Sequence, residues 1–196
     1  NNSYNNPLTV NFSWDPATNT DDYLFELATD NLFTNIVYSD ANVAGTTVSV
    51  SGLNNYTQYY WRVTAQNNYA SGTPSSATFT TELASPVLVS PGDLSFHNLV
   101  NPDLQWNAVT GATSYDLEIA EDNAFTVNLQ SFTGVNATNL VVTGLSHFTD
   151  YYWRVKAVNA HGESAFSSVF SFKTKLAAPT LVFPANGSNN VTIVPV

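Results

Sequence analysis

The stretch TQYYWRVTAQN at residues 57–67 returns, nearly unchanged, as TDYYWRVKAVN at residues 149–159. The offset of 92 residues also relates Trp14 to Trp106 and Trp61 to Trp153. It pairs Tyr23 with Tyr115, Glu26 with Glu118, Asp30-Asn31 with Asp122-Asn123, and Phe33-Thr34 with Phe125-Thr126. Gly52-Leu53 meets Gly144-Leu145 in the same way, and Thr57 meets Thr149. After Asn67 and Asn159 the offset grows by one, so that Phe79 meets Phe172 and the loop between absorbs a one-residue difference. Internal repetition of this kind sets the domain plan before any local reading does. The chain holds two tandem copies of one unit.

A third copy opens at the C-terminal end, where SPVLVSPGD of residues 85–93 returns as APTLVFPANG of residues 178–187. The first copy has no such segment, because Asn1 already aligns with Asp93. The expected organisation is therefore a domain over 1–82 that lacks its opening strand, a complete domain over 83–175, and the opening strand of a third repeat over 176–196.

Each unit reads as β-structure. Apolar residues alternate at Val10, Phe12 and Trp14, at Tyr23, Phe25 and Leu27, at Tyr115, Leu117 and Ile119, and at Val48 and Val50, with Gly, Asn, Pro or Asp between the runs. No window carries an apolar stripe of helical period. Short alternating strands separated by turn residues over about 90 residues make an all-β antiparallel sandwich the expected fold.

The combined pattern resembles the fibronectin type III family, in its bacterial cell-surface and secreted form. A Trp in the second strand matches Trp14 and Trp106. The L-x-x-x-T-x-Y corner and the R-V-x-A-x-N strand after it match Leu53, Thr57, Tyr59, Arg62, Val63, Ala65 and Asn67. In the second copy they match Leu145, Thr149, Tyr151, Arg154, Val155, Ala157 and Asn159, followed by Gly162-Glu163-Ser164. The chain departs from the family at Asn55 and His147, where a Pro often stands. The resemblance implies tandem immunoglobulin-like sandwiches in which Tyr59 and Tyr151 are corner tyrosines, their hydroxyls bonded to nearby backbone and their rings in the core.

Strand alternation divides the aromatic run between two faces. Tyr59, Trp61, Val63 and Ala65 point one way and Tyr60, Arg62, Thr64 and Gln66 the other. Trp14, Tyr59, Trp61, Trp106, Tyr151 and Trp153 are the expected structural core, with Trp61 packing across toward Trp14 and Trp153 toward Trp106. The outward Tyr60 and Tyr152 are the candidate ligand contacts, as aromatic faces for a sugar or a protein partner.

Composition removes several functions. Five Lys and Arg against fifteen Asp and Glu give a net charge of -10. Nucleic-acid binding needs Lys and Arg against phosphates, so no nucleic-acid partner is expected, and anionic membrane surfaces are disfavoured for the same reason. No apolar run approaches the roughly 20 residues that span a bilayer, so no membrane insertion is expected in this segment. The chain has no Cys and no Met, which leaves no thiol catalysis, zinc ribbon or disulfide.

His97, His147 and His161 each fall in an expected turn or loop, and no nucleophile-elbow pattern accompanies them. The carboxylates at Asp21-Asp22, Asp30 and Glu121-Asp122 lack the spacing of a calcium loop. ATDNLF and AEDNAF read as turns in which Asp and Asn accept backbone hydrogen bonds while Phe33 and Phe125 return to the core. No catalytic, metal or cofactor site is expected, and no enzyme. Six N-x-[ST] triplets, at Asn1, Asn11, Asn55, Asn136, Asn186 and Asn190, matter only where the source glycosylates.

Three functional readings follow. The first is a non-catalytic structural or adhesive repeat module of an extracellular or cell-surface protein, because the linkers TTELASP and KTKLAAP are short and Pro-bearing and favour a semi-rigid rod. Its partners are neighbouring repeats and a protein or glycan at a cell surface. The second is an accessory spacer or binding domain of a secreted carbohydrate-active enzyme. The third is a strand-exchanging subunit of an extracellular filament, in which PTLVFP fills the open edge of a head-to-tail copy; against it stands a simple window on a longer array.

Overall fold

The computed structural model of the chain describes residues 2–182 and is β throughout. In chain order the strands are β1 (Asn2–Asn6), β2 (Val10–Ser13), β3 (Asp22–Ala28), β4 (Ile36–Val43), β5 (Thr47–Val50), β6 (Gln58–Gln66), β7 (Ser75–Thr81), β8 (Leu88–Ser90) and β9 (Ser95–Asn98). There follow β10 (Asp103–Trp106), β11 (Ser114–Ala120), β12 (Gln130–Val135), β13 (Asn139–Val141), β14 (Asp150–Asn159), β15 (Gly162–Glu163) and β16 (Phe170–Thr174). Residues 183–196, which carry most of the opening segment of the third repeat together with Asn186 and Asn190, lie outside the described residues.

The strands form two sandwiches in tandem. The first sets a sheet of order β1-β7-β6-β3-β4 against the pair β2-β5, and the second sets β12-β11-β14-β16-β9, with β15 on β14, against β13-β10-β8. Alternation explains the layers. Phe12, Val48 and Val50 from one sheet meet Phe25, Leu27, Tyr59, Val63 and Phe79 from the other in the first core. Leu104, Trp106 and Val142 meet Leu117, Ile119, Trp153, Val155 and Phe172 in the second.

Pairing is antiparallel except at one edge of each sandwich. In the second, the opening segment changes sheets: β8 pairs with β10, and β9 then lies parallel to β16 in the opposite sheet, with Ser95 across from Phe172. The first sandwich has β9's counterpart in β1, with Ser3 across from Phe79. Along β2, however, only β5 is paired among the described residues.

That difference corrects the expected core. Trp106 and Trp153 are buried, whereas their repeat partners Trp14 and Trp61 are half-buried: Trp106 stands across from Leu88 of β8, which has no counterpart beside β2 among the described residues, and Trp153 packs on Phe170, where the first repeat has Ala77. Nor does Trp61 stack on Trp14. Both pack against Phe25, which lies between them with ring centroids 6.0 Å from each. In the second sandwich Trp106 meets Tyr115 and Trp153 meets Phe170. His97 also departs from expectation: it lies in β9 rather than in a turn. NSYNN of β1 and SFHN of β9 show no apolar alternation, since both are edge strands held by backbone pairing.

Candidate functional site

The corner tyrosines are buried, and each hydroxyl accepts a backbone N–H five residues upstream in the chain. Asn54 N–H donates to Tyr59 at 3.0 Å, and Ser146 N–H donates to Tyr151 at 2.9 Å. The Tyr151 hydroxyl in turn donates to Glu121 at 3.3 Å. Each bond ties the loop before the corner strand to the core below it, and so fixes where that loop stands at the end of the sandwich.

The outward face carries a repeated charged cluster. Period two places Glu26 directly across from Arg62 and Glu118 across from Arg154. Arg62 Nε lies 2.5 Å from Glu26 Oε2, and an Arg154 terminal nitrogen lies 2.7 Å from Glu118 Oε2. Each guanidinium also covers a ring, Phe33 at 4.1 Å in the first sandwich and Phe125 at 4.0 Å in the second. Phe33 therefore packs half-buried beneath Arg62 on the outer face and not in the core, contrary to expectation, whereas Phe125 is buried beneath Arg154, outside the inter-sheet cluster. The signal was present in the sequence as Glu26/Glu118, Arg62/Arg154 and Phe33/Phe125, each recurring at the same offset.

The turns before those phenylalanines are held by carboxylates. Asp30 accepts the backbone N–H groups of Asn35, Thr34 and Leu32, and Asp122 accepts those of Val127 and Thr126 and the Thr126 hydroxyl. These bonds, the Asn35 and Val127 N–H groups foremost, hold both carboxyls below the usual aspartate range. Both oxygens of each carboxylate are thereby engaged by the loop. Among the described residues no three His, Cys, Asp or Glu side chains converge as metal ligands would.

Tyr60 and Tyr152 stand half-buried on the same outer face. Tyr60 lies across from Ala28 and Thr78 and donates its hydroxyl to Gln58 at 3.0 Å. Tyr152 lies across from Ala120 and Ser171.

The most elaborate assembly of side chains lies where the two sandwiches meet. Leu83, from the linker, is 3% exposed and belongs to the core of the second sandwich. The Tyr4 ring stacks on His161, with centroids 3.8 Å apart and planes 6° from parallel. The Tyr56 ring rests on Gly111, where φ is +84° and a methyl group would overlap the ring. Asn5 approaches Gly162 in the same fashion. Backbone bonds brace the linker from the other side, Tyr56 N–H to the Glu82 carbonyl and Glu82 N–H to the Asn6 carbonyl, both 2.8 Å. Beside these contacts runs an open cleft of about 390 Å³ lined by Asn55, Tyr56, Ser85, Val87, Asn107 and Thr110 among others, with no charged side chain in its wall. This junction was invisible to sequence reasoning, because its members belong to different repeats and follow no period.

Residues 90–173 match the model of the fibronectin type III domain. Similar solved structures include the FN1–FN3 domains of chicken CNTN1, at 21% identity and a TM-score of 0.43, over 90% of this chain and 65% of that one. Another is a two fibronectin type III domain segment from chicken tenascin, at 15% identity and a TM-score of 0.44, over 87% of this chain and 94% of that one.

Proposed function

From a chain whose residues 90–173 match the fibronectin type III domain model, preceded by a second β-sandwich of the same repeat, we propose a non-catalytic structural and adhesive role in an extracellular or cell-surface protein. The sandwiches are set end to end as a semi-rigid stalk. The observation that carries this reading is the junction, where Leu83 fills the core of the second sandwich while Tyr4, Asn5 and Tyr56 of the first seat on His161, Gly162 and Gly111. A linker that supplies core to one domain and backbone acceptors to the other resists bending. The domains divide at 82/83 and 175/176, and the segment from 176 begins the next repeat.

The far end of the second sandwich supports continuation of the array. The repeat counterparts of Tyr4, Tyr56 and Leu83 are Phe96, Phe148 and Leu176, and all three are exposed, Leu176 to 67%. Apolar side chains grouped at one end of a domain mark a surface that another domain covers. The partners are thus neighbouring repeats first, with proteins or glycans at the cell surface meeting the outer faces. The acidic balance, -10 in net charge, suits a solvated, self-repelling extracellular surface. No helix among the described residues is long and apolar enough to cross a membrane.

Small-angle scattering tests the reading. A compact globule of this length has a radius of gyration of about 16 Å; the stalk gives a clearly larger value and a distance distribution with an extended tail. A value near that of the globule overturns it.

A further inference from the structure

The cleft at the junction does not end at the linker. It shares Asn107 with a second hollow, of about 300 Å³, lined by Val89, Gln105, Thr138 and Asn139 among others. Strand register lays the two hollows on one face. In the sheet β13-β10-β8 the side chains of Leu88, Leu104 and Trp106 are buried, so Val87, Val89, Gln105 and Asn107 point outward and are exposed. Gln105 stands across from Asn139 on one side and from Ser90 on the other, and the Asn107 N–H donates to the Val87 carbonyl at 2.9 Å. The hollows, about 390 and 300 Å³, thus make one open groove that starts between the sandwiches and crosses the outer face of the second. Each reaches the size of sites that hold small ligands, about 300–1,000 Å³.

The chemistry of the wall is uniform. It consists of amides, hydroxyls, aromatic rings and small apolar groups, with no ionised side chain, in a chain whose net charge is -10. Just behind it, Asp103 accepts the Gln105 amide N–H at 2.7 Å and the Asn139 amide N–H at 2.9 Å. Those bonds orient both amides and leave their oxygens as acceptors. Elsewhere the loops consume such groups, as the Asn67 and Asn159 amides do by accepting N–H groups of their own turns. In the groove, by contrast, the side chains of Ser85, Asn107 and Thr110 make no hydrogen bond to another described residue.

We propose that this groove binds a neutral oligosaccharide, a short run of a linear uncharged polysaccharide. This rests on the adhesive reading and gives it a ligand class and a place. The Gln105 and Asn139 amide oxygens accept sugar hydroxyl groups, and Asn107 and Thr110 both donate and accept. The exposed Val87 and Val89, two residues apart on one side of the chain, meet the C–H faces of the rings. A carboxylated or sulfated polymer finds no cation in this wall and meets an acidic chain. An extended peptide would need free backbone groups, but the floor is crossed by three strands and β10 is paired on both sides. Recognition therefore falls to the side chains, which are those that suit hydroxyl groups.

The test is an amide-resonance titration of the 196-residue chain with cellohexaose, mannohexaose, xylohexaose and laminarihexaose, with hexagalacturonate and an alternating Thr/Val hexapeptide alongside. At least one of the neutral sugars at millimolar concentration is expected to move the resonances of Val87, Gln105, Asn107 and Asn139, and the charged sugar and the peptide to leave them in place. Asn107→Ala removes one exposed hydrogen-bonding group and should weaken that binding about three- to tenfold. Leu32→Ser, at an exposed site on the first sandwich, should not change it. No movement of these amides with any of the four neutral sugars overturns the proposal. So does binding that ignores Asn107→Ala, or that goes to hexagalacturonate or the peptide. Sugars that bind around Tyr60 and Tyr152 instead overturn the groove and leave the adhesive reading standing. A flexible junction gives a different result again: Gln105 and Asn139 respond while Asn55 and Tyr56 do not.

Discussion

Leu83 and Leu176 occupy the same position in successive repeats and differ in one respect, which makes them a matched pair for perturbation. Leu83 is 3% exposed within the second core, and Leu176 is 67% exposed at the free end. Leu→Ala removes about three carbons at about 0.8 kcal/mol each, and the cavity left in a packed core brings the usual cost to about 2–5 kcal/mol. Leu83 lies at the margin of its core, where neighbours relax more easily, so Leu83→Ala should cost about 2–4 kcal/mol. Leu176→Ala removes the same atoms from a side chain mostly in water and should cost less than about 1 kcal/mol. Urea unfolding followed by amide resonances separates the sandwiches, with Val155 and Phe172 reporting the second and Phe25 and Phe79 the first. The shift for Leu83→Ala should appear on the second sandwich alone, although the residue precedes that sandwich's first strand. Equal effects of the two substitutions, or a shift confined to the first sandwich, would refute the assignment of the linker to the second core.

Other outcomes follow from the outer face and the corners. Glu26→Gln and Arg62→Ala should each destabilise the first sandwich by about 1–3 kcal/mol, since removing one partner leaves the other charge partly buried. The double variant should cost clearly less than their sum in a denaturation cycle. Tyr59→Phe and Tyr151→Phe should each cost about 1–2 kcal/mol, because the Asn54 and Ser146 N–H groups lose their acceptors; thermal unfolding that leaves both variants unshifted would contradict the corner geometry. Asp30 and Asp122 are held below the usual aspartate range by loop N–H groups, so the unfolded chain binds their protons more readily as pH falls. Their stabilising effect is full above about pH 4 and is lost as pH drops through the depressed folded values. Urea midpoints of Asp122→Ala measured through that window should decline less steeply than those of the unaltered chain.

Much of this fold was legible in the residues because burial imposes a period and repetition exposes it twice. Tyr23, Phe25 and Leu27 alternate because one face of β3 is core, and the same alternation at Tyr115, Leu117 and Ile119 confirms the pattern at the constant offset. The corner tyrosines were legible through the resemblance to the fibronectin type III pattern carried by Leu53, Thr57 and Tyr59 and by Leu145, Thr149 and Tyr151. β1 and β9 were not, because an edge strand held by backbone pairing has no reason to alternate. Trp14 and Trp61 looked like core on the strength of residue type and register. Their partial exposure goes with the open side of β2 and with Ala77 standing where the second repeat has Phe170, neither of which the alternation of β2 and β6 reports. Tyr4 on His161 and Tyr56 on Gly111 join residues of different repeats, so the junction emerges only when both sandwiches are placed. The outer-face pair of Glu26 and Arg62 lies between these cases, visible as a recurring pair and interpretable once β3 and β6 are known to be neighbours.

The central claim is that the two sandwiches hold one orientation through their junction. The chain contains no Cys, so spin labels attach cleanly at introduced sites, and Asn31→Cys with Asn123→Cys places them on exposed, repeat-equivalent loops. Pulsed electron resonance should give one narrow distance distribution, which broadens when Gly111→Ala forces the Tyr56 ring away. A distribution that is broad in the unaltered junction, and unchanged by Gly111→Ala, would show two sandwiches moving independently and contradict the account.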